Sequence, residues 1–325
     1  MGQTYKTIGV LTSGGDAPGM NASIRAVVRT ASALGIKVIG VEGGFTGLIR
    51  GKYKEMGNRD VGNILQRGGT ILQTARCEEF RTPAGRREAL REMNNAGIEA
   101  LVVIGGDGSL NGAQKLAELN FPVVGIPASI DNDIYGTDMA IGVDTALNTI
   151  VDAIDKLRDT ASSHTRAFLV ETMGRASGYL AVQAGIVTGA EMVLVPEVPA
   201  TVAEVAAHVE DAYRRGKAHC IIVVAEGFTP RTNDLADAIN QLDHGFTTRV
   251  SILGHIQRGG SPTAFDRMLA SRFGMKAVDF LIDGNLNMMT ALRGREIVGV
   301  PIADVVSHTR QVSEEYLEMA RVLSM

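Results

Sequence analysis

Short apolar runs alternate along the chain with segments whose apolar residues recur at helical spacing. Residues 6–12, 37–41, 100–104 and 122–127 read as strands, and 22–34 and 86–95 as helices between them. Strands this uniformly apolar are covered on both faces, which implies a parallel sheet flanked by helices. The clearest periodic segment is 143–160, where Val143, Leu147, Ile150, Ile154 and Leu157 share one helix face. The alternation then restarts, with strands at 167–170, 192–195, 221–225 and 250–254. A helix follows Pro262, and a terminal helix carries Val312, Tyr316, Met319 and Leu323. Two such series in 325 residues imply two domains, at about 150 residues each. No low-complexity linker divides them, so the chain is expected to cross between domains more than once.

Composition narrows the functional classes. Lys and Arg total 32 against 36 Asp and Glu, a net charge of −4. That speaks against a broad nucleic-acid surface and leaves room for a local basic pocket. Two cysteines, Cys77 and Cys220, make neither a disulfide framework nor a four-Cys zinc site. No apolar run reaches the ~18 residues of a membrane span. The N-terminus shows no basic start and apolar core of a secretory signal, so the cytoplasm is expected. The 38 glycines point to tight turns where backbone approaches ligand.

Three of those turns follow apolar strands. Thr12-Ser13-Gly14-Gly15-Asp16-Ala17-Pro18-Gly19 joins a strand to a helix start, where free N–H groups and the helix dipole favour an anion. It has neither the Walker A nor the dinucleotide spacing, and its plain alternative is a tight turn. Gly105-Gly106-Asp107-Gly108-Ser109 ends the strand at Ile104. Its glycines admit phosphates, Asp107 suits Mg²⁺, and Ser109 is placed to cap the next helix. Pro127-Ala128-Ser129-Ile130-Asp131-Asn132-Asp133 carries two carboxylates. In extended chain Asp131 and Asp133 face one side, where one can act as base while the other holds a cation. Arg76, Arg166, Arg175, Arg249 and Arg258 stand at element ends, each suited to phosphate. Gly254-His255-Ile256-Gln257-Arg258-Gly259-Gly260 groups a cation, an imidazole and an amide between glycines. His255 alone would equally serve as a core histidine.

Taken together and in order, TSGGDAPGMN at 12–21, GGDGS at 105–109, IDND at 130–133, Met173-Gly174-Arg175 and GHIQRGGSP at 254–262 resemble the bacterial ATP-dependent 6-phosphofructokinases over nearly the whole chain. The resemblance implies that Gly15, Arg76, Cys77 and Gly106–Ser109, including Gly108, bind ATP, with Mg²⁺ at Asp107. Asp131 matches the base for the 1-hydroxyl of fructose 6-phosphate, and Asp133 its acidic neighbour. Ser129 keeps a hydroxyl near the transferring phosphoryl. Arg76 and Arg175 match cations that neutralise developing charge. Ser129, Ile130, Asp131, Met173, Gly174, Arg175, Glu226, His255 and Arg258 match the sugar-phosphate pocket, and Arg166 and Arg249 match arginines supplied by a neighbouring subunit.

Arg25, Arg29, Arg158, Gly189, Glu191, Arg215, Lys217 and His219 match an effector site for ADP or phosphoenolpyruvate. Departures from the family pattern are Phe45 for a common Tyr, Asn58 for a common Arg, and Ala218 for a common Lys. Pyrophosphate-using relatives carry Asp in place of Gly108 and Lys in place of Ala128.

The expected protein is α/β, with two Rossmann-like three-layer α/β/α domains and the active site in the cleft between them. An ATP-binding domain spans 1–141 and 256–306, and a fructose 6-phosphate domain spans 142–255 and 307–325. The expected reaction yields ADP and fructose 1,6-bisphosphate in a homotetramer. The rival readings are a pyrophosphate-dependent enzyme of the same fold and an inactive sugar-phosphate-binding regulator.

Overall fold

Residues 100–105 and 220–225 are buried at every position, as strands inside covered sheets must be. The structure is a computed structural model that describes residues 5–164, 166–242 and 246–324. The chain opens with β1 (Thr7–Ser13), α1 (Met20–Ala33), β2 (Lys37–Val41), α2 (Gly44–Ile49), β3 (Tyr53–Met56), α3 (Pro83–Asn95), β4 (Ala100–Gly105), α4 (Asp107–Ala117) and β5 (Val123–Pro127). It continues through α5 (Val143–His164), β6 (Arg166–Thr172), α6 (Tyr179–Thr188), β7 (Met192–Leu194), α7 (Val202–Arg214), β8 (Cys220–Ala225), α8 (Thr232–Asn240) and β9 (Thr247–Ile252). Then come α9 (Ala264–Asp283), β10 (Met288–Arg293), β11 (Glu296–Pro301), α10 (Ile302–Ser307) and α11 (Glu314–Leu323).

One sheet has seven strands, in the order β11-β10-β5-β4-β1-β2-β3. Its centre is parallel, and β2–β3 and β10–β11 pair antiparallel at its two edges. The other sheet is parallel throughout, in the order β7-β8-β6-β9. The first unit comprises residues 1–145 and 258–310, and the second 146–257 and 311–325. The crossings therefore fall after 145, 257 and 310, not after 141, 255 and 306. The first turn of α5 stays with the first unit because Asp266 accepts hydrogen bonds from the N–H groups of Gly142 and Thr145. Arg310 stays there because its N–H donates to the Asp133 carbonyl, beside a bridge between Ile134 and Thr309.

Local chemistry explains where elements begin. Thr82 accepts a hydrogen bond from the N–H of Gly85 at 3.0 Å, and Pro83 follows it, so α3 starts at 83 rather than 86. β9 starts at 247 rather than 250, and Gly254 belongs to the 3₁₀ turn Gly254–Arg258. β9 is an edge strand, and its polar Thr247, Thr248 and Arg249 still pair with β6, which hydrophobicity does not reveal. The terminal helix begins at Glu314 under a Ser313 cap. Ala320 is buried and Leu317 half-buried there, whereas Met319 and Leu323 of the expected stripe are exposed.

Candidate active site

β1, β4 and β5 end level with one another. Ser13 pairs with Gly105, and Gly105 with Pro127. Their following loops therefore leave one edge of the sheet. β1 leads through α1 to β2 on one side, while β4 and β5 lie on the other, so the first two loops flank a topological switch point.

The second loop opens α4 with Gly106 at the N-cap. Ser109 is not the cap; it lies inside the first turn with its hydroxyl buried and without a hydrogen-bond partner among the described residues. Asp107 projects from that first turn, and the Asn111 amide donates to its carboxylate at 3.3 Å. Burial raises the Asp107 carboxyl above its ordinary value, and the charge of Asp133 raises it further, against the Asn111 hydrogen bond. Two carboxylates that repel each other at a phosphate-accessible helix start suit a divalent cation, which Mg²⁺ chemistry completes with waters and substrate phosphates.

The third loop departs from the extended form expected. Asn132 adopts φ 50°, which turns the chain between the two acids. Asp131 is buried and Asp133 half-buried as a result. The turn is held by the Asn132 side chain: its Oδ1 accepts from the N–H of Ala140 at 3.0 Å, and its Nδ2 donates to the Asp138 carbonyl at 3.3 Å. Ser129 Oγ accepts from the N–H of Asp131 at 3.2 Å, so this hydroxyl sits directly beside the expected base.

The loop that carries Arg76 is tied to the first loop. Asn21 Nδ2 donates to the Arg67 and Gly68 carbonyls, each at 3.1 Å, and Asn21 Oδ1 accepts from the N–H of Ile71 at 2.8 Å. Thr74 Oγ1 donates to the Gly14 carbonyl at 2.8 Å. Arg76 is exposed and Cys77 half-buried at its end. Arg258, expected with the sugar phosphate, lays its guanidinium against Gly15, expected with the nucleotide. Phe45 is buried and stacks on Phe80 with centroids 4.2 Å apart.

In the second unit, a turn after β6 presents Met173, Gly174 and Arg175. Gly174 has φ 142° and Arg175 φ 53°, an uncommon value for a side-chain-bearing residue. Glu226 Oε1 accepts from both N–H groups of this turn, from Gly174 at 3.2 Å and Arg175 at 2.7 Å. Gln257, fully buried, accepts from the N–H of Met173 at 3.2 Å and donates to the Gly254 carbonyl at 3.0 Å. Its amide is thus a brace rather than an open ligand group. His255 is exposed, not a core histidine. Arg249 is exposed and Arg166 half-buried.

The effector candidates of this unit lie around Glu191. Its carboxylate accepts from the N–H of Ile221 at 2.7 Å and lies 3.4 Å from Lys217 Nζ. Arg158 donates to the Thr188 carbonyl, one residue before Gly189, whose φ is 61°. His219 Nδ1 is 2.8 Å from Ser162 Oγ. Burial lowers the His219 pKa, and the Arg158 and Lys217 charges lower it further, opposed by Glu191. Arg215 pairs with Asp211. Arg25 and Arg29 lie four residues apart on α1 in the first unit. A cavity of about 1160 Å³ in the second unit is bounded by Glu191, His208 and Arg215 and by Leu317 and Ala320 of α11, and none of the catalytic candidates lines it.

Sequence reasoning missed Asn132 as a turn holder, Asn21 and Gln257 as braces, and Asp266. Asp266 is fully buried, and burial pushes its carboxyl up to about 6 against the hydrogen bonds from Thr145 and Gly142.

A glycine loop opening a helix, with acids beside it at a switch point, suits a phosphate-bearing ligand with a divalent cation. The model of the phosphofructokinase family matches residues 7–281. The chain is 54% identical to a Thermotoga neapolitana protein over 98% of this chain and all of that one, and 51% identical to a Clostridioides difficile protein with the same coverage. Both relatives are named ATP-dependent 6-phosphofructokinase. The solved Pichia pastoris phosphofructokinase superposes with a TM-score of 0.89 at 38% identity, covering 94% of this chain and 36% of that longer one. The pyrophosphate-dependent phosphofructokinase from Marinobacter aquaeolei shares the fold, with a TM-score of 0.87 at 20% identity, covering 98% of this chain and 91% of that one. The chain belongs to the phosphofructokinase family.

Proposed function

We propose that the chain transfers the γ-phosphoryl of ATP to the 1-hydroxyl of fructose 6-phosphate, giving ADP and fructose 1,6-bisphosphate. The observation that carries this reading is its full-length identity of 54% to a relative named for ATP. The space at Gly108 agrees with it. Apart from its chain neighbours and the backbone of its own helix turn, no atom of the described residues lies within 4 Å of where a Cβ there would stand, and the position carries no charge to repel a nucleotide phosphate.

Gly15 and Gly106–Ser109 receive the nucleotide phosphates at the sheet edge. Asp107, with Asp133 near it, would hold Mg²⁺. When bound, that ion offsets charge on the phosphate oxygens. Asp131 takes the proton from the 1-hydroxyl as its oxygen bonds to the γ-phosphorus and the bond to the ADP oxygen breaks. Arg76 and Arg175 offset the charge that develops. Met173, Gly174, Ile130, Glu226, His255 and Arg258 bind the sugar phosphate, joined by Arg166 and Arg249 of a neighbouring subunit in a homotetramer. In this reading the first unit is the ATP-binding domain and the second the fructose 6-phosphate domain. The cluster around Glu191, with Arg25 and Arg29, takes ADP or phosphoenolpyruvate as effector. The cytoplasm is the compartment of this reaction. Among the described residues, no helix is long and apolar enough to cross a membrane.

The test is one assay of the purified protein with fructose 6-phosphate and Mg²⁺, comparing ATP and pyrophosphate. Formation of fructose 1,6-bisphosphate with ATP is expected. Turnover with pyrophosphate and none with ATP would overturn the donor assignment.

A further inference from the structure

No other acidic side chain among the described residues is as fully enclosed as Asp266. Its Oδ1 accepts from the N–H of Gly142 at 2.9 Å. Its Oδ2 accepts from the N–H of Thr145 at 2.8 Å and from Thr145 Oγ1 at 2.5 Å. Thr145 Oγ1 in turn accepts from the N–H of Thr263 at 3.1 Å. A buried carboxylate is costly unless its partners are complete, and this one binds the segment 142–145 to the start of α9 through both its oxygens.

The Gly142 side leads to the expected base. Ile141, next to Gly142, forms a parallel bridge with Ala128. Its N–H donates to the Pro127 carbonyl at 3.0 Å, and its carbonyl accepts from the N–H of Ser129 at 3.1 Å. Ser129 Oγ then holds the N–H of Asp131. The same strip abuts the first glycine loop. Gly142 has φ 103°, and a Cβ there would stand 2.7 Å from the Ala17 Cβ. A Cβ at Gly19 would stand 2.6 Å from Ile141. The strip 141–142 is therefore clasped between the loop expected to meet the nucleotide and the segment that carries Asp131.

We infer that Asp266 is a positioning residue for phosphoryl transfer, holding the strip 141–142 so that Asp131 keeps its place relative to the first glycine loop. The inference rests on the reading of Asp131 as the base. An amide at 266 cannot replace the carboxylate. With its oxygen toward the two Thr145 donors, its NH₂ confronts the N–H of Gly142, and the strip must shift. Thr145 supplies the contrast, because losing its hydroxyl weakens the anchorage of α5 and leaves the Gly142 bond intact.

The test compares Asp266→Asn, Thr145→Val and the conservative Thr145→Ser in the full-length protein, reading kcat, both KM values and the thermal unfolding midpoint. Asp266→Asn is expected to lower kcat by roughly 10- to 100-fold with both KM values within about threefold, the effect of a misplaced reacting group. Thr145→Val is expected to lower the unfolding midpoint while kcat stays within about threefold, and Thr145→Ser to restore the midpoint. If Asp266→Asn keeps kcat within threefold, or Thr145→Val loses as much kcat, the positioning role is wrong. Should Asp266→Asn not fold, Gly142→Ala displaces the same strip with the carboxylate intact and must show the same loss of kcat. Unaltered kcat there, or failure of both variants to fold, overturns the inference in favour of a purely structural carboxylate. The base reading fails separately, if Asp131→Asn itself remains active.

Discussion

The guanidinium of Arg258 lies where a side chain on Gly15 would have to go. Both residues belong to the first unit, although 243 positions separate them in sequence. The Arg258 Nε is buried and has no hydrogen-bond partner among the described residues, so this cation is held by packing over the glycine loop. Placed so, it adds positive charge to a site built for phosphates.

Gly15→Ala should therefore displace Arg258 rather than unfold the protein, since the far end of an arginine side chain moves easily. We expect kcat/KM to fall by roughly tenfold or more, the usual effect of misplacing a binding group. Stability should change by less than about 1 kcal/mol. Initial rates and thermal unfolding check both parts, and unaltered kinetics would mean that the Arg258 position has no bearing on turnover.

Gly108→Asp probes donor choice at a position with room to spare. Outside its own helix turn, a new Cβ meets nothing within 4 Å among the described residues, and an acid in the first turn of α4 agrees with the helix dipole. Folding stability should be unaffected or slightly raised. A like charge beside a nucleotide phosphate costs several kcal/mol, so kcat/KM for ATP should drop at least ~100-fold. Steady-state rates against ATP concentration measure it, and unchanged use of ATP would remove Gly108 from the nucleotide site.

Some of this was legible in sequence and some was not. β4, its glycine turn and Asp107 could be read because an apolar run, glycines and an acid stand together within ten residues. β5 and Asp131 followed from the same pattern. The turn at Asn132 could not, since the left-handed backbone there depends on Ala140 and Asp138, several residues away. Asp266 left no local sign at all. Its partner Gly142 is 124 positions earlier, and an acid three residues after a helix cap resembles any helix start. Gln257 was noticed for its setting among glycines, but nothing in that setting distinguishes a ligand amide from a buried brace. The β10–β11 hairpin closes the sheet edge without any signal that the alternation of strands and helices would suggest.

Asp266 also makes stability depend on pH. Its folded carboxyl titrates at about 6, raised by burial, whereas an unfolded Asp titrates near ~3.9. Between those values the folded state binds the extra proton, so this group's contribution is fully present below ~4 and is lost as pH rises through about 6. The unfolding free energy of the wild type minus that of Asp266→Asn should therefore decline from pH 5 to pH 7. Urea unfolding at fixed protein concentration measures it. A difference that is flat, or that grows with pH, would contradict the raised carboxyl.

The most direct measurement of the central claim is the turnover of Asp131→Asn with ATP and fructose 6-phosphate. Asp131 is the buried acid of the third loop, its N–H held by Ser129 Oγ, and the account makes its carboxylate the base for the 1-hydroxyl. Asn keeps the shape of the side chain and removes the ability to accept a proton. The variant should be a folded protein with KM values within a few-fold of wild type and kcat lower by ~10²–10⁴, the worth of a positioned general base. A purified variant that retains more than about a tenth of wild-type kcat would contradict the base assignment, because a positioned general base typically contributes ~10²–10⁴.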